Sequence, residues 1–535
     1  MSAKFATKTG RVAAGGSLLV GGVAGALVLA PQAGAATTYH VTNTSDTGAG
    51  SLRQAIDDAN NNAGADIIVF DAGSAGTITL TSGQLEITDD VTITGLGAAD
   101  SIISGNNASR IFYIYNSAVS LTVSISGLTM TDGHATTTGG AIANWGNGLT
   151  LSSVVLTGNE STGTGGAVHS GVSGSPNADI HAPFTIIDSE ISGNTAVVDA
   201  GGIRLNYIGD VSIVNTTFSG NYSGSRGGGA SGEDVGNVSI VDSLFQNNES
   251  VDQGGGLHLY RAGDVSIDST TFDHNIADVL GHGFGDGGGV YVDASDSVTM
   301  TNSTVSGNEA SDGAGILLGN AGDVLIANST IANNVGGPNK GRGGALYRWG
   351  SNGDTRILFS TISGNSTKNN TVRIVAGSPY TVEISGTIIS DNRTNEGSDP
   401  RAVDLYLEGT ASGTVTSSLI MGWSFGTPLS DGGGNINGVS AQLGALADNG
   451  GATFTMEPAA GSPVIDAGPL TWTAFNGDGS DQRGGLFLRV YNGQSDMGAL
   501  EVQPEPVPPT TTTTAASGDT TTTVATDPVA PAFTG

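Results

Sequence analysis

Cysteine is absent from the 535 residues, which excludes disulfides, thiolate nucleophiles and thiolate metal sites. Basic residues are nearly as scarce: 18 Lys and Arg stand against 49 Asp and Glu, a formal net charge of −31. A chain this acidic repels phosphate, so nucleic acid and anionic membrane surfaces are excluded as partners. Aromatic residues make up only 5%, too little bulk for one large globular core, and prolines number 16. With so few prolines and no three-residue glycine period, collagen is excluded too. What the chain has in excess is glycine, 86 residues or about one in six, against a usual share of roughly 7%. Asn, Ser and Thr abound and β-branched residues are too frequent for disorder, a composition that predicts many short strands joined by tight turns.

The two ends are not fold. Residues 1–35 carry Lys4, Lys8 and Arg11, an apolar run from Val12 to Ala30, and Ala33-Gly34-Ala35, the layout of a secretory signal peptide. Its removal takes the net charge from −31 to −34 and leaves no transmembrane segment expected in the mature chain. Residues 503–535 form a Pro/Thr-rich tract that cannot bury a core and reads as an extended spacer.

Between them the sequence repeats. An apolar-x-x-Asn element ends at Asn159, Asn194, Asn221, Asn248, Asn275, Asn308, Asn334, Asn365 and Asn392, with 27 residues separating Asn221, Asn248 and Asn275. A second element, small residues before one apolar anchor, recurs at Ile142, Val168, Ile203, Ala230, Leu257, Val290, Ile316 and Leu346. Each unit offers three short runs of period-2 alternation between Gly, Asn and Asp corners, and none holds ten residues of helical periodicity. This predicts an all-β chain: a right-handed parallel β-helix whose coils stack about 4.8 Å apart. The asparagine column is expected to be structural, each amide pairing with its neighbour. Ser51 to Ala59, apolar at 52, 55, 56 and 59, predicts an amphipathic helix that caps the first coil. The boundaries that follow are a cap over 36–66, repeats over 67–430 and a closing module over 431–502.

Several stretches resemble known modules. Thr42 to Ile56 followed by Ile67-Ile68-Val69-Phe70 is similar to the N-terminal cap of bacterial secreted β-helix proteins. The alternating Gly-Gly-Ala-Ile and Phe-x-x-Asn elements resemble the repeats of polymorphic outer membrane proteins, which are surface adhesins. Asp448-Asn449-Gly450-Gly451, Ser462 to Gly468, Asp481 to Gly484 and Asp496 to Glu501 look like the closing module that precedes a surface anchor. Pro531 to Gly535 resembles the core of a sortase sorting signal. No alternating strands follow Glu501, so the membrane barrel of an autotransporter is not expected. The resemblance implies a pectin-lyase-like fold and a secreted or cell-surface location, with an extracellular polysaccharide or a host or neighbouring cell surface as partner. It leaves activity open, because the fold hosts adhesins, lyases and hydrolases alike.

Alternation after the apolar anchor sends two columns outward. The first reads Ala143, His169, Arg204, Ser231, His258, Tyr291, Leu317, Tyr347; the second reads Trp145, Gly171, Asn206, Glu233, Tyr260, Asp293, Gly319, Trp349. Aromatic plates among polar groups suit a sugar, so Trp145, His169, Asn206, Tyr260, Tyr291, Tyr347 and Trp349 are candidate ligand-binding residues. Longer connections at Gly171 to Ala182 and Ala277 to Asp286 are expected to wall the groove. The alternative to glycan binding is catalysis. Glu233 and Asp293 lie two coils apart, about 9.6 Å on the strand spacing, near the upper end of the separation used by inverting glycoside hydrolases. Arg204 or His258 would instead serve a polysaccharide lyase as the base that abstracts a proton α to a uronate carboxylate. At the corners, Asp210, Asp264, Asp323 and Asp354 form a column that Ca²⁺ would relieve of repulsion, or that turn chemistry alone explains. No cofactor is required by the sequence, and a monomer is expected.

Overall fold

The computed structural model describes residues 36–503, apart from 173–181, 279, 282, 284, 338–340, 351, 395–402, 426–428 and 471–478. The expected leader over 1–35, all but the first residue of the Pro/Thr tract and most of the Gly171 to Ala182 connection lie outside the described residues. The chain winds into a parallel β-solenoid whose strands stack into four sheets of 15, 14, 10 and 13 strands. One coil shows the plan: Val211–Val214 in the first sheet, Thr217–Ser219 in the second, Tyr222–Ser223 in the third and Ala230–Val235 in the fourth. The sequence predicts three strands per coil, and the structure has four. The added strand spans two residues, too few for alternation to be visible.

Register is like on like, which fills the core. Ile213 pairs with Ile240 and Ile240 with Ile267 in the first sheet. In the second, the rings of Phe218 and Phe245 stack with centroids 4.4 Å apart and Phe245 and Phe272 with 4.9 Å, all three fully buried. Burial of each such ring contributes about 1.5–3 kcal/mol. Parallel strands with a covered inner face need this continuous apolar column, because no single coil buries its own side chains.

Nine asparagines turn the corner between the second and third sheets, and their amides form a continuous chain. Asn248 Nδ2 donates to Asn275 Oδ1 (2.9 Å) and to the Phe218 carbonyl of the coil before (3.0 Å). Its Oδ1 accepts from Asn221 Nδ2 (2.8 Å) and from the Asn221 backbone N–H (3.1 Å). Both donors and both lone pairs are used, so a primary amide can be buried here at little cost. The chain begins at Asn159, which accepts from the Gly133 N–H, and ends at Asn392, which donates to Asp404 Oδ1 (2.8 Å). A hydroxyl column runs beside it at the preceding corner: the Thr216 N–H donates to Ser243 Oγ (3.2 Å), which donates to the Val241 carbonyl (2.8 Å).

At the N-terminal end, helix α1 (Leu52–Asn60) packs on strands Thr38–Val41, Asp66–Phe70 and Leu85–Ile87. Ser51 caps it by accepting the Gln54 N–H, and Leu52, Ala55, Ile56 and Ala59 are the buried face. Nine residues are too few for a stable isolated helix, so this packing is what holds it. At the other end, residues 441–470 and 479–503 lie along the outer face of the second sheet. Thr304 Oγ1 donates to the Phe454 carbonyl (2.6 Å), Thr330 Oγ1 to Gln482 Oε1 (2.6 Å), and the Ala499 N–H to Thr361 Oγ1 (2.9 Å). Arg489, fully buried, bonds Asn328 Oδ1 (2.7 Å) and lies over Phe359, 4.8 Å from the ring centroid. Phe359 has φ +45°, at a corner filled elsewhere by Asn215, Asp242, Ser269, Asn302 and Asn328. A bulky side chain is costly in the left-handed region, and the contact with Arg489 helps to hold it there.

Candidate ligand-binding face

The fourth sheet assembles the two predicted columns in register. His169 pairs with Arg204, Arg204 with Ser231, Ser231 with His258, His258 with Tyr291, and Leu317 with Tyr347. In the second column, Asn206 pairs with Glu233, Glu233 with Tyr260, Tyr260 with Asp293, and Gly319 with Trp349.

The first column is not a surface, which corrects the sequence expectation. Every member is at most 7% exposed. The cause is the corner that enters the sheet. Gly254 has φ +63°, and a Cβ on it would lie 2.7 Å from His258 Cβ; Gly227, Gly287 and Gly343 stand in the same way against Ser231, Tyr291 and Tyr347. A left-handed glycine thus folds the chain back over the outward residue, a conformation that a residue with a Cβ would strain. The polar residues just before these glycines complete the cover. Arg226, Gln253, Asp286 and Asp312 form their own row of parallel bridges, Thr164 Oγ1 bonds His169 Nδ1 (2.9 Å), and Arg342 lies over Tyr347, 5.0 Å from the ring centroid.

Burial changes the chemistry of the groups beneath. His169 is pushed down to about 3, first by burial and then by the charges of Arg204 and Arg110. His258 falls well below the ordinary imidazole value, again first by burial and then by Arg226 and Arg204. Both rings are neutral at physiological pH. His258 shares Ser231 Oγ with Arg204 and stacks on Tyr291 with centroids 5.0 Å apart. Neither His258 nor Arg204 is placed to meet a polymer, as a lyase base must.

Glu233 and Asp293, the paired carboxylates, have different surroundings. Glu233 is held on both oxygens, by Arg204 Nη2 (2.7 Å) and Arg261 Nη2 (3.1 Å). Arg261 also pairs with Asp234 (2.5 Å) and lies over Tyr260, 4.1 Å from the ring centroid. Tyr260 therefore offers no bare ring on that side, and Trp145 stands against His169 with centroids 5.6 Å apart. Asn206 donates to the Val172 carbonyl (3.0 Å) beside the corner of the sheet.

Trp349 differs. It is half-buried, packs beside Tyr347 and Leu317, and pairs across to Gly319, where a Cβ would come within 2.9 Å of its indole and 2.8 Å of Asp293 Oδ1. The missing side chain at Gly319 brings an indole and a carboxylate together. Asn320 Nδ2 donates to Asp293 Oδ1 (3.1 Å), and the Asn320 N–H donates to the Trp349 carbonyl (2.9 Å). The long stripe expected from sequence thus contracts to one subsite: a Trp plate beside an Asp–Asn pair. Asn320 escaped sequence reading because it falls just past the alternating strand. Arg373 and Tyr406 continue the first column beyond the eight coils aligned from sequence, Arg373 lying 5.6 Å from the Tyr347 ring and 5.5 Å from that of Tyr406.

The corner acids spend oxygens on backbone. Asp210 Oδ1 accepts the Asn237 N–H (2.9 Å), Asp323 Oδ1 the Asp354 N–H (2.9 Å) and Asp354 Oδ1 the Thr381 N–H (2.7 Å), each one coil on; Asp264 Oδ1 accepts from Ser297 Oγ (2.6 Å). Among the described residues no three carboxylates or imidazoles gather closely enough to hold a metal ion.

Fold and face together define a parallel β-solenoid with a covered polar column and, among the described residues, an aromatic subsite at Trp349. Comparison with family models gives the lineage: the model for the right handed beta helix region matches residues 170–357 and 288–445, together just over half of the chain. The protein belongs to the right-handed β-helix family. No curated protein matches it.

Proposed function

We propose that the protein is a secreted or cell-surface β-helix that binds glycan, with Trp349, Asp293 and Asn320 as its contact site. The observation that carries this reading is the juxtaposition of Trp349 and Asp293 over Gly319, with an Asn amide bonded to the carboxylate. A pyranose stacks its apolar face on an indole and places hydroxyls at the edge, where a carboxylate and an amide can take them. The signal-like leader and the Thr-rich tract support an extracellular setting, and no helix among the described residues is long and apolar enough to cross a membrane. No observation favours hydrolysis or elimination, since both oxygens of Glu233 are occupied by guanidinium groups and His258 and Arg204 are buried.

The test is a glycan array read with wild type and Trp349→Ala, together with reducing-sugar and unsaturated-product assays on every polymer bound. Binding that falls at least tenfold in Trp349→Ala, with no product formed, is the expected result. Turnover abolished by Asp293→Asn would replace this reading with an enzymatic one.

A further inference from the structure

We infer that the Trp349 subsite takes an uncharged sugar and discriminates against uronates; this rests on the glycan-binding reading above. The argument comes from how the fourth-sheet face uses its cations. Recognition of a sugar carboxylate calls for a free guanidinium or ammonium, and the fork of arginine suits it best. Among the described residues five arginines border the face, and each is already matched to a carboxylate one coil away. Arg204 is held by Glu233 (2.7 Å), Arg226 by Asp199 (3.4 Å), Arg261 by Glu233 and Asp234, Arg342 Nε by Asp312 (3.0 Å) and Arg373 by Glu408 (2.5 Å). Arg110, further toward the N-terminus, bonds Gln84 Oε1 (2.7 Å) and the Thr138 carbonyl (2.7 Å).

The subsite itself carries the opposite sign. Among the described residues Asp293 has no cationic partner and its Oδ1 accepts the Asn320 amide, which leaves the carboxylate able to accept from hydroxyl donors. A ligand carboxylate placed there would face Asp293 within the field of a chain of formal charge −31. A hydroxyl in the same position donates to Asp293 and accepts from water. The geometry therefore selects hydroxyl over carboxylate in two ways: the arginines that border the face among the described residues are all committed, and Asp293 is an anion without a cationic partner among them.

The experiment pairs polymers that share a backbone and differ in charge: hydroxyethyl cellulose against carboxymethyl cellulose, and fully methyl-esterified polygalacturonate against polygalacturonate. Affinity electrophoresis and titration calorimetry are run on the full chain at 20 and 150 mM salt with wild type, Trp349→Ala and Asp293→Asn. The expected outcome is at least tenfold tighter binding of a neutral polymer than of the anionic one, a ratio that narrows in Asp293→Asn and at high salt. A tenfold ratio corresponds to about 1.4 kcal/mol. Equal or tighter binding of a polyuronate, lost in Trp349→Ala, would overturn this inference and leave the glycan-binding reading in place. Binding of no polymer, or binding that Trp349→Ala does not alter, would overturn the reading itself. Circular dichroism and melting of each variant identify any loss that comes from misfolding.

Discussion

Two of the solenoid's buried polar columns are built on opposite rules. At the corner between the second and third sheets one residue repeats from Asn159 to Asn392, and each amide finds its partner in an identical neighbour one strand away. Along the fourth sheet the residue changes at every coil, from His169 to Arg204, Ser231, His258 and Tyr291, and each finds whatever partner its own chemistry needs. Burial is the same in both. The first column is a scaffold that any coil can copy, because the amide supplies donor and acceptor in equal number. The second fits one coil to the next and cannot be permuted. Variation at constant burial is what lets a repetitive fold carry a local surface, and the subsite at Trp349 lies on the sheet where variation is allowed.

The sharpest way to break the contrast is to put a charge in the uniform column. Asn248→Asp replaces two donors by acceptors and sets a carboxylate against Asn275 Oδ1 and the Phe218 carbonyl. A buried charge without a counter-ion costs about 3–5 kcal/mol. Because each coil contacts only its neighbours, the loss should show as faster hydrogen exchange over residues 221–275 along with a lower melting temperature. A change below about 1 kcal/mol would mean that the amide chain does not hold the coils.

The uniform column also ends on a carboxyl whose ionisation is shifted by burial. Asp404, which accepts from Asn392, is pushed up to about 6, chiefly by burial, with Asp391 adding to the shift and Asn392 and the Gly422 N–H opposing it. In the unfolded chain the same carboxyl ionises near pH 3.9. A folded value above the unfolded one means that the native state holds the proton more tightly. The group's stabilisation is therefore complete below about pH 4 and is lost as pH rises through about 6. A two-unit difference is worth about 3 kcal/mol. Glu501, raised by burial to about 8, acts in the same direction over a higher window, so the reading is the difference between wild type and Asp404→Asn. Urea denaturation at pH 4, 5, 6 and 7 should show the variant gaining on wild type across that interval. Parallel curves would remove Asp404 as the titrating end of the column.

In the variable column single losses should be smaller, since its members have more than one partner. Arg204→Met leaves Glu233 paired with Arg261 and Ser231 bonded to His258. Two charge-assisted hydrogen bonds are lost, to Ser231 and Glu233, but neither partner is left unpaired, and a cost of about 1–3 kcal/mol is expected. A loss equal to that of Asn248→Asp, measured by the same denaturation, would erase the distinction between the columns.

How far each column was legible follows from the same contrast. Asparagines 27 residues apart announce a coil, and alternation after each apolar anchor fixes register well enough to set His258 beside Tyr291. Alternation gives direction and not depth, so the cover over the fourth sheet stayed hidden. Its signal was present in the Gly-Gly corners, where a left-handed glycine such as Gly254 brings Gln253 back across the strand. The seat of the C-terminal module left a fainter trace. Outward positions of the second sheet read Ser219, Gln246 and Asp273 where solvent reaches them, and Ser306, Ala332 and Ser363 where residues 441–470 and 479–503 lie near. The subsite at Trp349 was legible only in part, because what opens it is an absence, the side chain that Gly319 lacks.

The smallest effect on stability is expected where the effect on binding is largest. Trp349 is half-buried at the rim of the variable column, packed against the cluster of Tyr291, Leu317 and Tyr347. Those neighbours keep their own cover from the glycine corner, as Tyr347 does against Gly343. Trp349→Ala should then lower stability by about 1–2 kcal/mol, less than the 3–5 kcal/mol of a fully buried aromatic, while glycan binding falls at least tenfold. Measured together on one preparation, the two numbers separate scaffold from surface. If stability fell as far as in Asn248→Asp, Trp349 would belong to the packing of the solenoid, and the open face of the fourth sheet would have no residue that spends its ring on a ligand.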